Sequence, residues 1–248
     1  MKFTLSWLKD HLETQADAAA LRGQLGIPDD HFVFYSIGVW DPRKALADLV
    51  AVFASAFCQR DKVSLVLKTS TAIHWPALDP EPAGGIPQRV HLLQDRIAAE
   101  TGTPSARVVV IAADGIAGRT IDALHATGDC FVSLTHGEGW GMGAFDAATL
   151  GKPVLITGYG GPAEYLPAGY PGLIGYSMVP VAGWSPEASY RPPQRWAQAD
   201  LVDAGRKLRG MVARHSDFLD AAAIAGERIL NRYAEPIVAR QLVAALDG

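Results

Sequence analysis

A loop with glycine at every second position is the part of the sequence best suited to hold a ligand. It runs from Thr135 to Gly143, between an apolar run that predicts a strand and a segment that predicts a helix. Glycine lets a backbone approach a ligand closely and adopt positive φ. The first N–H groups of the following helix have no partner within the helix, so they suit a phosphate or a sugar oxygen. The loop is therefore a candidate site for either group.

Two carboxylates accompany this loop. Glu138 lies just before the predicted helix, and Asp146 follows eight residues later inside it. Both side chains can flank a ligand that sits over the N-terminus of the helix. Alternatively, both only complement the helix dipole, which is worth about 0.3–1 kcal/mol for each charge. The spacing alone leaves both interpretations open.

A second candidate loop contains Asp41-Pro42-Arg43-Lys44. Asp as the cap and Pro as the first residue predict the start of a helix, and apolar residues then recur at helical spacing. Arg43 and Lys44 would lie in the first turn of this helix, where the dipole is already positive. A bound anion would remove that conflict, so we expect the two cations to neutralise a diphosphate. The alternative is that both side chains simply reach into solvent.

Other loops and motifs carry weaker signals. The segment from Gly158 to Tyr165 is another close-approach turn into a helix, and Lys68 and His74 follow an earlier predicted strand. Gly139 to Ala144 fits G-x-G-x-x-A but lies beyond a late strand, which argues against a dinucleotide site. His136-Gly137-Glu138 matches the start of a zinc deaminase motif whose P-C-x-x-C part is absent. We therefore favour neither interpretation.

Composition indicates an ordinary globular protein. The chain has 248 residues, 22 Lys and Arg, 26 Asp and Glu, and a formal net charge of −4. This small excess of acid does not indicate a nucleic-acid or anionic-membrane partner. No apolar run approaches the roughly 18 residues that a membrane span needs. Two cysteines fit a reducing cytoplasm and argue against a disulfide framework.

The elements that must position these loops alternate between strand and helix. Apolar runs at 31–37, 63–67, 107–112, 129–134 and 153–157 predict buried strands, with helical segments between them. This pattern predicts an α/β fold with a doubly wound parallel sheet. Ligands of such sheets lie outside the carboxyl ends of the strands, where the loops above begin. The segment from Pro162 to Trp196 is predicted as loop, Trp196–Asp200 as the approach to a helix, and the remainder as two or three helices.

Several short blocks resemble one enzyme family. Glu138–Met142, Asp146–Ala148 and Gly151–Val154 are similar to the E-G-[FW]-G-[LM], E-A and G-K-P-V blocks of retaining GT-B glycosyltransferases of group 1. Arg43-Lys44 resembles the basic pair of that family, and Pro193–Asp200 is similar to members with a W-A-x-P-D stretch. The likeness covers most of the chain and corresponds to the C-terminal, donor-binding half of the GT-B fold. The Glu138 block is the most specific part.

The resemblance implies a role for each block. Glu138 would contact the sugar that a nucleotide-sugar donor transfers, and Asp146 would bind the ribose hydroxyls. Arg43 and Lys44 would stabilise the departing nucleoside diphosphate, which is the main catalytic contribution in such a site. Transfer would retain the anomeric configuration, with no metal and no cofactor. Backbone N–H groups for the sugar and phosphate would come from Gly139, Trp140, Gly141 and Met142.

The sequence departs from the family pattern in three ways. Asp146 replaces the usual Glu, Val39 follows Gly38 where the family often has Arg, and the chain carries the pattern of one half only. We expect residues 1–30 to be a leader or interdomain segment, with an Ala-rich helix from Ala16 to Leu25, and 31–248 to be the donor-binding domain. An acceptor-binding half would come from another chain or from a longer gene product.

Two other functions remain open at this stage. Val39 and Asp146 favour a non-catalytic module that binds a nucleotide sugar or a partner. A nucleotide-sugar epimerase is the other alternative, since it shares the two-halved fold, but it also needs the absent half. An exposed apolar patch at the carboxyl edge would mark a docking surface, with Trp140, Tyr159, Tyr165 and Trp184 as candidates. We expect a cytoplasmic protein, with attachment to the inner face of the membrane left open. The donor base, the sugar and the acceptor are not determined.

Overall fold

The computed structural model describes residues 15–74, 80–116, 118–181 and 193–246. The strands are β1 (Phe32–Ile37), β2 (Val63–Thr69), β3 (Arg107–Ala112), β4 (Cys130–Ser133), β5 (Val154–Thr157), β6 (Leu173–Ile174), β7 (Tyr176–Pro180) and β8 (Arg195–Ala199). The helices are α1 (Gln15–Gln24), α2 (Leu46–Ala56), α3 (Gly85–Thr101), α4 (Gly118–Thr127), α5 (Met142–Thr149), α6 (Pro162–Tyr165), α7 (Leu201–Ala213), α8 (His215–Tyr233) and α9 (Glu235–Leu246). A 3-10 turn, Pro42–Lys44, precedes α2.

Six strands form one parallel sheet in the order β3-β2-β1-β4-β5-β6. This is the strand order of doubly wound Rossmann-like folds. Successive strands are added towards one side of the sheet up to β3 and towards the other side from β4 on, so the switch point lies between β1 and β4. The predicted α/β fold with a parallel sheet is confirmed. Because β1 and β4 are neighbours, the loops after their carboxyl ends, 38–45 and 134–141, meet at one edge.

The core has two parts, one on each face of the sheet. Along β1 the side chain of Phe34 packs on one face, while Val33 and Tyr35 pack on the other. Helices α2, α3 and α7 cover the first face, and α4, α5 and α8 cover the second. Strand residues buried on both faces are typical of parallel sheets, and they explain the continuous apolar runs in the sequence.

Gly128 shows that a glycine can be required for space rather than for its φ. A glycine directly after a helical segment is typical of the left-handed residue that ends a helix. The Gly128 N–H does bond to the Leu124 carbonyl oxygen, 3.0 Å away, but its φ lies outside the left-handed region. A Cβ there would lie 2.0 Å from Cδ1 of Tyr35. The tyrosine ring, which β1 places against this position, therefore requires glycine.

The prediction of loop from Pro162 to Trp196 is wrong. The described part of that segment contains the strands β6 and β7 and the start of β8. The turn at Gly158 leads into α6, and Trp196–Asp200 leads directly into α7, both as expected. Strands β7 and β8 pair antiparallel, with Met178 opposite Ala197. This pairing depends on a partner about twenty residues away along the chain, which the local sequence, rich in Pro and Gly, does not indicate. Residues 182–192, including Trp184, lie outside the described residues.

The described part of segment 1–30 packs on the domain. Leu21 and Leu25 contact the core on the second face of the sheet, and Ile27 is buried there. Arg22 donates hydrogen bonds to the carbonyl oxygen of Pro28, and Gly26 adopts the positive φ expected after a helix. Among the described helices, none is long and apolar enough to cross a membrane.

Candidate functional site

The basic loop after β1 is a tight turn rather than the start of a long helix. Asp41 caps it as predicted, since its Oδ1 accepts a hydrogen bond from the Arg43 N–H at 2.8 Å. The turn lasts only from Pro42 to Lys44, however, because Ala45 adopts φ 50°, and α2 begins at the next residue. Left-handed backbone costs a non-glycine residue about 1–2 kcal/mol. This geometry separates the two cations from α2.

Both cations meet the carboxylate of Glu138. The Lys44 Nζ lies 2.5 Å from Glu138 Oε1, and the Arg43 Nη1 lies 3.4 Å from Oε2. Arg43 also donates to the Gly137 carbonyl oxygen at 2.5 Å. The Glu138 side chain is only 12% exposed. The anion expected near the two cations is thus supplied within the chain, and one positive charge remains in excess.

Buried polar groups fasten the two loops together behind this charge cluster. The amide of His136 donates to the Arg43 carbonyl oxygen at 2.8 Å. The Thr135 hydroxyl lies 3.2 Å from the carbonyl oxygens of Arg43 and Gly137, so it can donate to either. Thr135 is fully buried. The sequence gives no signal that Thr135 and His136 hold the two loops together, because Arg43 lies more than ninety residues away along the chain.

The two glycine loops pack backbone against backbone. The Gly161 amide donates to the Glu138 carbonyl oxygen at 2.9 Å. A Cβ at Gly161 would lie 2.2 Å from the Gly139 carbonyl oxygen, and one at Gly160 would lie 2.7 Å from that of Glu138. Glycine is therefore required in the second loop, from Gly158 onward, for the first loop to hold its shape.

The first glycine loop leaves open space where α5 begins. Gly139 is exposed, and a Cβ there would have no heavy atom within 4 Å. Gly141 precedes the helix with φ 76°, and Met142, its first residue, is 46% exposed. The unpaired N–H groups of the first turn of α5 face this region as they do in any helix, and they attract negative charge. Gly139 and Gly141 thus lie in the loop before α5 and Met142 at its first position, and their contacts with a donor stay a prediction.

The side chain of Trp140 belongs to an aromatic cluster rather than to the open site. Its ring lies 5.3 Å from the ring of Phe145, 5.3 Å from that of Tyr165 and 5.1 Å from that of Tyr233. Tyr165 is fully buried, so the expectation of an exposed docking patch that includes it is wrong. Trp140 can offer a ligand its backbone N–H. The third patch candidate in the described residues, Tyr159, packs against Tyr176.

Asp146 lies in a different environment from Glu138. Burial, together with the nearby charge of Asp122, raises the pKa of Asp146 to about 6. Burial raises the pKa of Tyr165, and both Glu138 and Asp146 add to that increase. The two acids therefore lie within electrostatic range of one tyrosine hydroxyl at the start of α5. Only Glu138 is paired with the cations, and a ligand flanked by both carboxylates stays a prediction.

His125, in α4, is a buried histidine that the sequence does not single out. The Tyr35 hydroxyl lies 2.8 Å from Nδ1 of His125, and burial, with a smaller effect of Lys152, lowers the His125 pKa to about 4. Its Nε2 has no hydrogen-bond partner among the described residues. A single histidine within a helical segment gives no signal of such burial. Across the described ranges, no group of three or more His, Cys, Asp or Glu side chains is placed to bind a metal ion.

Polar residues also follow β2 and β3. The Lys68 carbonyl oxygen accepts from the Gly38 amide at 3.0 Å, and the His74 amide donates to the Trp40 carbonyl oxygen at 2.8 Å. Thr71 bonds to the carboxylate of Asp114, which lowers the Asp114 pKa. Lys68 is the penultimate residue of β2 rather than part of the loop after it, whereas His74 does lie in that loop. Both residues are at the carboxyl end of β2, on the same side of the sheet as the glycine loop. Both residues make these contacts through their backbone atoms.

No family model matches this sequence, and no curated protein matches it either. Solved structures do match the fold. The HepE protein of Anabaena, solved in complex with UDP and glucose, has a TM-score of 0.65 and 18% identity over 94% of this chain and 52% of its own. Sucrose-phosphate synthase from Thermosynechococcus elongatus has a TM-score of 0.59 and 22% identity over 93% and 49%. The chain spans about half the length of these proteins.

A third match is of similar length to this chain. It is the C-terminal domain of LpcC, a group 1 family glycosyl transferase from Francisella tularensis. The match covers 82% of this chain and 87% of that domain, with a TM-score of 0.57 and 12% identity. Identities this low establish the fold and not the activity. The chain therefore has the α/β Rossmann-like fold that is found in GT-B glycosyltransferases.

Proposed function

We propose that this chain is the donor-binding half of a glycosyltransferase that takes its sugar from a nucleotide sugar. The observation that carries the proposal is the cluster of Glu138, Lys44 and Arg43 at the carboxyl edge of the sheet, beside the start of α5. Solved proteins with the same fold include HepE bound to UDP, which supports a nucleotide in a site of this kind. The charge cluster lies between β1 and β4, where doubly wound sheets bind their ligands.

Each group has a separate task in this mechanism. Arg43 and Lys44 stabilise the negative charge that develops on the nucleoside diphosphate as the sugar leaves. Glu138, held between them, contacts the transferred sugar. The open backbone at Gly139 and the first N–H groups of α5 receive the phosphate or sugar oxygens. Asp146 binds the ribose hydroxyls. No metal or cofactor takes part, and the anomeric configuration is retained.

The charge balance of the cluster suits such a donor. Two cations and one carboxylate leave one positive charge, to which the N-terminus of α5 adds about half a charge. A diphosphate that enters beside Glu138 therefore meets net attraction, although the carboxylate limits its strength. This balance favours moderate affinity for a nucleoside diphosphate. It also favours release of the nucleotide after transfer, because Glu138 is available to pair with both cations again.

In this proposal the chain binds the donor, and a separate half binds the acceptor. The chain spans about half of HepE and of sucrose-phosphate synthase, and it matches the isolated C-terminal domain of LpcC over most of both lengths. We therefore propose that transfer requires a second half, in another chain or in a longer product. A hexose is the proposed sugar. Acceptor and donor base are left open.

A non-catalytic nucleotide-sugar-binding module is the second candidate. The observation that favours it is the same ion cluster, because Glu138 already neutralises half of the cationic charge without a ligand. Such a module would bind the nucleotide sugar but would not transfer the sugar with any acceptor half. Glu138→Ala separates the two functions in the assembled enzyme, since it abolishes transfer only where Glu138 acts on the sugar.

Calorimetric titration of the chain with UDP, GDP and ADP tests the proposal. We expect saturable binding of one of them, and its loss in the double variant Arg43→Ala/Lys44→Ala. Lys62→Ala is the matched control, because Lys62 lies at the amino ends of the strands, where it pairs with Asp30 at 2.9 Å. This variant should bind the nucleotide as the wild type does. Failure of all three nucleotides to bind would contradict the proposal. Binding that survives the double variant would contradict the role of the cations.

A further inference from the structure

His136 connects three separate segments of the chain. It lies two residues before Glu138 and is only 6% exposed. Its amide donates to the Arg43 carbonyl oxygen at 2.8 Å, and its own carbonyl oxygen accepts from the Ala197 amide at 2.9 Å. Its Nδ1 lies 2.9 Å from the Ala197 carbonyl oxygen. The turn after β1, the glycine loop after β4 and the strand β8 thus meet at this one residue.

The contact with Ala197 fixes the state of the imidazole ring. A carbonyl oxygen only accepts hydrogen bonds, so Nδ1 carries the proton and donates it. Burial lowers the pKa of His136, and the charge of Arg43 lowers it further. The bond to Ala197 and the charge of Asp48 oppose these two effects. The ring is therefore neutral at pH 7, with one defined donor.

Stacking holds the plane of the ring. The imidazole of His136 lies over the indole of Trp196, with centroids 4.2 Å apart and planes inclined by 28°. Trp196 and Ala197 are consecutive residues of β8, so one strand provides both the stacking surface and the two hydrogen bonds. A ring held in this way restrains the backbone of its own loop at the position where glycines begin to alternate.

We propose that His136 is a positioning residue for the donor site, a role that rests on the proposed function. By fastening its loop to Arg43 on one side and to β8 on the other, it sets the position of Glu138 relative to the two cations before a ligand arrives. The following loop, with glycine at 137, 139 and 141, has little stiffness of its own. Without this restraint, the cost of ordering the loop would fall on ligand binding and weaken it.

Two substitutions separate the hydrogen bond from the packing. His136→Phe keeps an aromatic ring over Trp196 but has no donor for Ala197. His136→Asn places an amide N–H near the position of Nδ1 but has no ring to stack. His31→Phe makes the same chemical change at the opposite edge of the sheet, where His31 contacts Ser64, and serves as the control.

The measurements are nucleoside diphosphate affinity by calorimetry, Tm, and hydrogen exchange of the peptide 134–141. Loss of one hydrogen bond should weaken binding in His136→Phe by about 5- to 30-fold, with most of that loss recovered in His136→Asn. Exchange of the peptide should rise most in His136→Phe and only slightly in His136→Asn, which lacks the stacked ring. Should His136→Phe not fold, Trp196→Leu keeps the hydrogen bond but removes the stacking partner, and it should give a smaller change in the same direction. His31→Phe should match the wild type in affinity and in exchange of this peptide.

Each result bears on one proposal. If the wild type binds a nucleotide and His136→Phe binds it equally well, the positioning role is wrong. A Tm loss in proportion to the affinity loss, with no recovery in His136→Asn, would also overturn it, because that is the behaviour of a merely structural residue. If the wild type binds no nucleotide, the proposed function fails. Hydrogen exchange then still decides whether His136 restrains the loop, since it needs no ligand.

Discussion

The Nζ atom of Lys44 lies 2.5 Å from Oε1 of Glu138, although 94 positions separate the two residues in the sequence. The contact exists because β1 and β4 are neighbours in the sheet, so the loops after their carboxyl ends meet. Both side chains are largely shielded from water, with 20% of Lys44 and 12% of Glu138 exposed. Such a pair is stronger than a surface ion pair, and its loss leaves a partly desolvated charge.

A double-mutant cycle on this pair should reveal a clear coupling energy. We expect Lys44→Ala and Glu138→Gln each to lower the free energy of unfolding, and the double variant to lower it by less than their sum. The expected coupling is about 1–2 kcal/mol, between the values for exposed and buried pairs. Urea denaturation of the four proteins measures it. Additive effects would mean that the two groups do not interact in solution.

Gly139 should be dispensable for folding and necessary for binding. Its Cβ position is open, so Gly139→Ala should change the free energy of unfolding by no more than about 0.5 kcal/mol. The added methyl group would occupy the space that a phosphate or sugar needs, so nucleotide affinity should fall about tenfold or more. Calorimetry and urea denaturation on the same samples test both parts. Unchanged affinity would mean that the ligand does not approach this backbone.

Gly161→Ala provides the contrast to Gly139→Ala. The new Cβ would lie 2.2 Å from the Gly139 carbonyl oxygen and 2.7 Å from Cα of Trp140, and neither backbone atom can move without distorting the loop. We expect a loss of about 2–4 kcal/mol in the free energy of unfolding, together with weaker binding. A variant as stable as the wild type would show that the two glycine loops are not packed as described.

The ionised Asp146 side chain should destabilise the folded state at neutral pH. Its folded-state pKa of about 6 lies above the reference value of 3.8, so the folded state binds the proton more tightly. The stability that this group contributes is therefore present below pH 3.8 and lost as the pH rises through 6. We compare the change in the free energy of unfolding that Asp146→Asn causes at pH 7.5 with the change that it causes at pH 4. The change at pH 7.5 should be more favourable by about 1–3 kcal/mol. Asp95→Asn, at an exposed position on α3, is the control for the loss of a carboxylate at the surface.

The contribution of His125 to the free energy of unfolding should change with pH in the opposite direction to that of Asp146. Its folded-state pKa of about 4 lies below the reference value of 6.5, so the unfolded state binds the proton first. Stability is then lost as the pH falls from 6.5 through 4, by up to about 1.4 kcal/mol for each pH unit. His125→Asn keeps a polar partner for Tyr35 but does not titrate, so its stability should fall less in this window. The comparison belongs in the Asp146→Asn background, where the opposing titration is absent. If the free energy of unfolding falls equally with pH in Asp146→Asn and in Asp146→Asn/His125→Asn, the low pKa of His125 is contradicted.

The fold could largely be predicted because the apolar runs of parallel strands are local features. Alternation of such runs with helical segments specifies a doubly wound sheet, and the sheet specifies that loops after neighbouring strands share an edge. The turn at Asp41 was predicted for the same local reason, but its end at Ala45 was not. Alanine carries no signal for a positive φ, because residues with a Cβ rarely adopt that conformation.

The sequence by itself determined the fold class and the residue types of the candidate site: Glu138, Arg43, Lys44 and the glycine loop. Tertiary structure decided how they combine. It paired the two cations with Glu138, directed Trp140 into the aromatic core, raised the pKa of Asp146, and made His136 the junction of three segments. These outcomes depend on contacts between residues far apart in the chain. Burial and pairing across a sheet arise only when the strands are assembled, whereas local periodicity is present in the sequence itself.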